Sequence, residues 1–157
     1  HTALDALVVA DRLVVIEAGQ VVQTGFPAVV AAQPRTDHVA ALVGMNLLRG
    51  VASDGALRLA DGSEVITTGK VSGPALVAFS PSAVSVFAER PAGSPRNVWP
   101  GVIRAVTPHG DAVRLQIAGP AALLADITPA ALSSLALHPG SSVWASVKAT
   151  EIVVYPA

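Results

Sequence analysis

The sequence predicts a mainly β protein in which a small antiparallel barrel or sandwich follows a short α/β segment. Two observations carry this prediction. Before residue 46 the pattern is that of a helix, a hairpin and two further helices. After residue 46 short β-branched runs alternate with turn signals roughly every ten residues, as in small all-β domains. The turn signals are Asp54-Gly55, Asp61-Gly62, Gly73-Pro74, His109-Gly110, Gly119-Pro120 and Pro139-Gly140.

The opening segment begins with an apolar run and a β-branched pair of strands. Residues 2–10 are apolar nearly all round and predict a short buried helix with Thr2 as its N-cap. Residues 12–19 end in glycine and residues 20–25 follow at once. Together they predict a β-hairpin.

Helix starts are marked by proline and by short polar side chains. Pro27 is suited to the first position of a helix that runs toward Ala32. The stretch TDHVAALVG predicts a second helix, capped by Thr36 or Asp37 and ended by Gly44. Within the β region, residues 128–137 predict one more helix, with a threonine cap followed by proline.

Two segments of the β region resemble each other. GPALVAFSPSAVSV, from residue 73, and GSSVWASVKATEIVV, from residue 140, share a glycine, a strand, a polar break and a second β-branched run. This similarity suggests two related halves, although two equivalent strands of one barrel would look much the same.

Composition limits the classes of function. Apolar residues make up 52% and charged residues 13% of the 157, which is enough to build a packed core. The formal net charge of −1 offers no broad positive field, so nucleic acid is not expected as a partner. Cysteine is absent, and the histidines beyond His1 (His38, His109, His138) lack ligand spacing, so we expect no metal site.

Hydrogen-bond donors concentrate in two places. Ser94 and Arg96 stand two residues apart before a predicted strand, where alternation would turn both to one side. Ser146, Lys148 and Thr150 would likewise share one face of the last long strand. Fixed donors with one or two cations suit a tetrahedral dianion, because they replace its hydration. The plainer alternative is that Lys148 extends its ammonium group to the rim of a barrel.

The opening segment has the triplet ADR at residues 10–12, followed by Gly19, Gly25 and Pro27. In this pattern it resembles the end of the nucleotide-binding domain of ABC transporter ATPases, although Thr2 stands where the family usually has aspartate. The resemblance implies that His1 is the switch histidine that senses the γ-phosphate of ATP. The sequence has no G-x-x-x-x-G-K-[ST] loop. We therefore expect no hydrolysis by this chain, with ATP-Mg bound only by the longer parent.

The donor-rich stretches resemble the molybdate-binding Mop, or molbindin, domains of the TOBE type, which also form the C-terminal part of molybdate-importer ATPase subunits. The first family motif is matched by residues 94–103 and the second by residues 140–152, with Pro95 in place of alanine. In that family oxyanions bind at subunit interfaces. The resemblance implies that the ligands of the oxyanion are Ser94, Arg96, Lys148, the backbone of Ala149, and Thr150.

A further site is expected to be missing. Related importer domains read RPE where this chain has Ser80, Pro81 and Ser82, so the contact made there by the arginine and glutamate should be absent. Asn97 is expected to hold its loop by side-chain hydrogen bonds rather than to bind a ligand.

These resemblances lead to one interpretation of the whole chain. Residues 1–44 would be the last elements of an ABC nucleotide-binding domain, and residues 46–157 an OB-like Mop/TOBE regulatory domain. The expected function is binding of molybdate or tungstate to modulate transport, as a homodimer attached to permease subunits at the cytoplasmic face of the membrane. The alternatives are a regulatory domain of a sulfate or sugar importer without anion binding, and a free-standing molybdate storage module. The sequence does not rank molybdate, tungstate and sulfate.

Overall fold

The computed structural model describes residues 9–157. His1, Thr2 and most of the helix predicted over residues 2–10 lie outside the described residues. The strands are β1 (Leu13–Glu17), β2 (Gln20–Gly25), β3 (Asn46–Ser53), β4 (Ala56–Arg58), β5 (Glu64–Ile66), β6 (Gly73–Phe79), β7 (Ser85–Phe87), β8 (Asn97–His109), β9 (Ala112–Ala118), β10 (Leu123–Ile127), β11 (Ser142–Val147) and β12 (Val153–Pro156). The helices are α1 (Pro27–Ala32), α2 (Asp37–Val43) and α3 (Pro129–Ser134). Two 3-10 turns, Pro81–Ala83 and Ala149–Glu151, follow β6 and β11.

The local signals at the helix starts and at the first hairpin gave correct predictions. Strands β1 and β2 form the predicted antiparallel hairpin. Helix α1 begins at Pro27. For α2 the cap is Thr36, whose hydroxyl accepts a hydrogen bond from the Val39 amide, and the helix ends at Gly44 in the left-handed conformation with φ 71°. Helix α3 has its predicted threonine cap but ends at Ser134, before the predicted end at Leu137.

Antiparallel pairing produces two five-stranded sheets, which agrees with the sandwich alternative of the prediction and not with the OB-like barrel. The first sheet has the order β12-β6-β3-β4-β5, and the second has the order β10-β9-β8-β11-β7. Within residues 9–157, no ladder joins the two edges of either sheet. The predicted turn at Gly73-Pro74 was wrong, because these two residues open β6. The turn predicted at His109-Gly110 lies one residue later, because His109 still pairs with Ala112.

The two sheets are built alike, with the strands exchanged. In the first sheet β12 lies beside β6, and in the second sheet β7 lies beside β11. Each of the two chain segments that resembled each other is therefore a strand, a 3-10 turn and a strand that crosses to the opposite sheet. The two segments have the same order of elements, so the turns Pro81–Ala83 and Ala149–Glu151 occupy equivalent positions in the two halves.

Two buried asparagines join the sheets at equivalent places. Asn46 opens β3 and exchanges two hydrogen bonds with the backbone of Leu124 in β10, at 2.9 and 2.7 Å. Asn97 opens β8 and exchanges two with Ile66 in β5, at 2.7 and 2.9 Å. Between the sheets lies one apolar core that includes Phe79, Ile103 and Leu115, all at most 1% exposed.

The segment after α1 is attached to the C-terminal strand. The Tyr155 hydroxyl donates to the Pro34 carbonyl at 2.6 Å, and the Arg35 guanidinium donates to the Pro156 carbonyl at 2.9 Å while lying over the Tyr155 ring. Strand β12 is thus fixed to the leading segment by its last two residues. In the described part of the chain, no helix has the length and apolar character needed to cross a bilayer.

Candidate functional site

The Ser94–Arg96 motif lies in a loop rather than on the predicted strand. Strand β8 begins at Asn97, so the alternation that would place both side chains on one strand face does not apply. The Arg96 guanidinium folds back on its own loop, donating to the carbonyls of Ser94 and Gly93, each at 2.9 Å. Two of its five donors are therefore directed to the loop, and the others remain for a ligand.

The second motif also leaves the strand earlier than predicted. Strand β11 ends at Val147, and Lys148 is the residue that precedes the 3-10 turn Ala149–Glu151. Ser146 is 2% exposed, whereas Lys148 and Thr150 are exposed. The three side chains therefore do not share a strand face, because the chain turns toward the first sheet after Val147.

The structure nevertheless brings the ends of the two motifs together within one chain, although only Lys148 of the five predicted ligands lines the cleft between them. Strands β8 and β11 pair so that Asn97 lies opposite Val147 and Val98 opposite Ser146. The residues just before Asn97 and just after Val147 therefore lie at the same end of this ladder. Pro95 from the first motif and Lys148 from the second line one cleft of about 330 Å³. We refer to it as the turn cleft.

The opposite wall of the turn cleft comes from the other half of the domain. Ser80 precedes the 3-10 turn Pro81–Ala83, and its hydroxyl accepts a hydrogen bond from the Ser82 amide at 3.2 Å. The two hydroxyls lie 2.8 Å apart. Ser85, which starts β7, pairs directly with Ser146 in β11 and also lines the cleft. Hydroxyl groups from both halves therefore surround this space.

Lys148 brings positive charge and Glu151 negative charge to the turn cleft. Within residues 9–157 the ion pairs are Arg49–Asp37, Arg58–Glu64 and Arg114–Asp126, and neither cleft residue belongs to one. The Lys148 ammonium is thus available to a ligand. No group of three or more potential metal ligands occurs among the described residues. The Lys148 ammonium and the serine hydroxyls can bind the oxygens of a small anion, and the Glu151 carboxylate opposes it.

Comparison with known proteins shows which families this chain is similar to. A protein-family model described as the TOBE domain matches residues 93–154. The molybdenum import ATP-binding protein ModC of Mycobacterium tuberculosis (strain ATCC 25618 / H37Rv) is 37% identical over 166 residues, covering 100% of this chain and 45% of ModC. The molybdate/tungstate import ATP-binding protein WtpC of Pyrococcus horikoshii is 31% identical over 158 residues, covering 99% of this chain and 46% of WtpC.

The chain carries a TOBE domain and is homologous along its length to the C-terminal part of molybdate importer ATP-binding subunits. It spans about half the length of these relatives. Among solved structures, the cytoplasmic molybdate-binding protein ModG with molybdate bound has a TM-score of 0.63 at 16% identity, covering 71% of this chain and 96% of ModG. This likeness shows a shared fold.

The TOBE match includes both donor-rich motifs and one of the two 3-10 turns. Residues 93–154 run from the loop before β8 into β12, so they contain Arg96, Lys148 and Thr150. The other turn, with Ser80 and Ser82, precedes the match but belongs to the same pair of sheets.

Sequence reasoning missed the serine wall of the turn cleft. It treated Ser80 and Ser82 as a place where a family contact is absent. A readable signal was present, because serine followed by proline marks an N-cap and the first position of a helical turn. Ser80 and Ser82 lie near Lys148 because two strands that are far apart in sequence each cross to the opposite sheet. A local sequence pattern cannot predict this proximity.

Proposed function

We propose that this chain is the regulatory C-terminal part of an ATP-binding subunit of a molybdate or tungstate importer, and that its TOBE domain binds the oxyanion at the end of β8 and β11. The ligands in this proposal are Ser94, Arg96, Lys148, the backbone of Ala149, and Thr150. Residues 1–44 would then complete the preceding nucleotide-binding domain, and residues 46–157 would form the regulatory domain. His1 retains its proposed switch role only in the whole subunit.

One observation supports this proposal most strongly. The two donor-rich motifs, 50 residues or more apart in sequence, lie beside each other across the β8–β11 ladder, and Lys148 has no ion-pair partner in the described part of the chain. A cation with hydroxyl groups beside it is a favourable environment for a tetrahedral dianion. The homology to molybdate and tungstate importer subunits supports the same class of ligand, a tetrahedral oxyanion.

The regulatory step is a coupling between oxyanion binding and the state of the transporter. In the whole importer, two such subunits would pair and contact permease subunits at the inner face of the membrane. Oxyanion that accumulates in the cytoplasm would occupy the TOBE domains and favour a resting state of the dimer. Such coupling requires different affinities for the oxyanion in the two states.

Calorimetric titration of this chain with molybdate, tungstate and sulfate tests the binding step. We expect saturable heat with molybdate and tungstate, and an affinity at least about tenfold lower in Arg96→Ala and in Lys148→Ala, since each substitution removes a charge-assisted hydrogen bond. Lys70→Ala is the matched control, because Lys70 is the other lysine of the chain and lies outside the turn cleft.

Two results would contradict the proposal. Heat that survives both Arg96→Ala and Lys148→Ala would show that the oxyanion binds elsewhere. Absence of any heat with the folded wild-type chain, across all three oxyanions, would show that this domain does not bind them.

A further inference from the structure

Ser146 places at the turn cleft a hydroxyl group that has no hydrogen-bond partner among the described residues. Ser146 is 2% exposed, and its side chain has no hydrogen bond to any of residues 9–157. Among the described residues, no fully enclosed side-chain oxygen or nitrogen lacks a partner. The Ser146 Oγ must therefore face open space, and the space that Ser146 lines is the turn cleft.

The Ser146 hydroxyl opens onto the cleft, so it can hydrogen-bond to water or to a ligand there. An anion oxygen that accepts this bond would be held at the base of the cleft. Ser146 stands next to Val147, which precedes Lys148, so its hydroxyl and the ammonium approach the cleft from one strand end. The base of the cleft thus combines a neutral donor with a cation.

The other half of the domain supplies donors that face the same space. Ser85 lies directly opposite Ser146 in the β11–β7 ladder. Ser80 and Ser82 line the cleft at the Pro81–Ala83 turn. This turn corresponds to the Ala149–Glu151 turn in the other half of the domain. Because hydroxyl groups rotate to donate or accept, they can adapt to the oxygens of a tetrahedral anion.

We propose that the turn cleft is the oxyanion pocket and that both halves of one protomer supply its ligands, with Ser146 at its base and Ser82 on its wall. This inference rests on the proposed function and adds Ser146 and Ser82 to the ligands that the family resemblance implies. Arg96 follows Pro95, which lines the pocket, and its own side chain is directed to the carbonyls of Ser94 and Gly93. Ligands from a second copy of the chain can add to this set.

Glu151 gives the pocket a recognisable electrostatic signature. Its carboxylate lines the same cleft as Lys148, so it opposes the binding of a dianion. Its removal should therefore strengthen binding, whereas removal of a hydroxyl should weaken it. A merely structural role of these residues would not produce opposite effects on affinity.

The test is calorimetric titration with molybdate of four single variants. We expect Ser146→Ala and Ser82→Ala to bind about tenfold more weakly than wild type, as for loss of a hydrogen bond to a charged ligand. We expect Glu151→Gln to bind at least about threefold more tightly. Ser133→Ala, on the exposed face of α3, is the control and should bind as wild type does.

The outcomes separate this inference from the proposed function. Wild-type affinity in both Ser82→Ala and Ser146→Ala, together with loss of binding in Lys148→Ala, would overturn the pocket inference and leave the proposed function standing. No binding by the wild-type chain would overturn both. Ser82 is exposed, so Ser82→Ala keeps the test valid if Ser146→Ala does not fold.

Discussion

Tyr155 shows how one buried polar side chain joins two parts of this molecule. The residue is 2% exposed, and its hydroxyl is hydrogen-bonded to the Pro34 carbonyl. Burial raises the pKa of the Tyr155 phenol far above its usual range, against a smaller opposing effect of the Arg35 and Arg49 charges. The folded protein therefore keeps this phenol neutral at a pH where an unfolded chain would ionise it.

The raised pKa predicts a loss of stability in alkaline solution. Below the unfolded-state pKa of about 10 the phenol is neutral in both states, so its contribution does not change with pH. Above that pH the unfolded state loses its proton first, and the free energy of unfolding should fall by up to about 1.4 kcal/mol per pH unit. Urea unfolding at several alkaline pH values should show this fall in wild type and not in Tyr155→Phe.

A direct spectroscopic check is available because the chain has one tyrosine. Ultraviolet titration of the tyrosinate should show no ionisation near the usual pKa until the protein unfolds. A tyrosinate signal that appears near pH 10, with the fold intact, would contradict the burial argument.

Asp126 leads to a prediction about stability in acid solution. Its carboxylate accepts two hydrogen bonds from Arg114 at 2.8 Å, across the β9–β10 ladder, with both side chains less than a fifth exposed. Hydrogen bonding to the Arg114 guanidinium lowers the pKa of Asp126, and desolvation opposes the shift. The stability from this pair is therefore present above the unfolded pKa of about 4 and is lost as pH falls through the lower folded value.

We expect Asp126→Asn to lower the free energy of unfolding by about 2 kcal/mol at neutral pH. The difference from wild type should shrink as the pH falls below about 4, because wild type then also loses the charge. Chemical denaturation at neutral and acid pH measures both. Glu64→Gln is the control, since its pair with Arg58 is exposed and should contribute less than about 1 kcal/mol. A difference that stays constant into acid would contradict this account.

Strands β3 and β8 begin with the same short pattern, and the structure explains why. Each strand opens with asparagine and has glycine four residues later, as Asn46 with Gly50 and Asn97 with Gly101. The asparagine binds the opposite sheet. A Cβ on Gly50 would lie 2.1 Å from the Arg58 carbonyl oxygen, and one on Gly101 would lie 2.4 Å from Ile117. Both glycines therefore permit close approach of the neighbouring strand.

Asn97 should be more important for folding than for binding. Its side chain satisfies both the amide and the carbonyl of Ile66, and it is 1% exposed. We expect Asn97→Ala to reduce the free energy of unfolding by about 2–4 kcal/mol, because two buried backbone groups lose their partners. Denaturant titration measures the loss, and the equivalent Asn46→Ala should behave alike. Stability within about 0.5 kcal/mol of wild type would show that these bonds do not join the sheets.

Element ends mark the limit of what the sequence could predict. Threonine caps, helix-starting prolines and a terminating glycine are local signals, so the starts of all three helices and the end of α2 were predicted correctly. The period-two pattern of Ser146, Lys148 and Thr150 continued beyond the true strand end at Val147. A 3-10 turn that carries the chain between sheets is fixed by distant pairing, and alternation alone cannot distinguish it from a longer strand.

The whole molecule owes its shape to the exchange of strands between two halves. The similarity of residues 73–86 and 140–154 suggested related halves, but not that β7 and β12 would each join the other half's sheet. The two 3-10 turns therefore both line the turn cleft. The sequence located the donor-rich motifs and, by resemblance, led to the prediction of an oxyanion ligand. The position of Ser80 and Ser82 beside Lys148 follows from the topology and could not be predicted from sequence.

Strand β12 connects the turn cleft with the leading segment of the chain. Its N-terminal end follows the Ala149–Glu151 turn, and its C-terminal end bonds Pro34 and Arg35. A change at the cleft therefore has a short, continuous route to the residues that follow α1. If the proposed function holds, we expect this strand to be one link between the oxyanion site and the residues that precede the TOBE domain, because it contacts both.

The central claim is that a tetrahedral oxyanion binds where β8 and β11 end, beside Lys148. The most direct measurement is a crystal structure of the chain grown with tungstate, in which anomalous scattering locates tungsten independently of the protein. The account predicts a peak in the turn cleft within hydrogen-bonding reach of Lys148 and Ser146. A peak at a site remote from both motifs, or none in crystals grown with saturating tungstate, would contradict it.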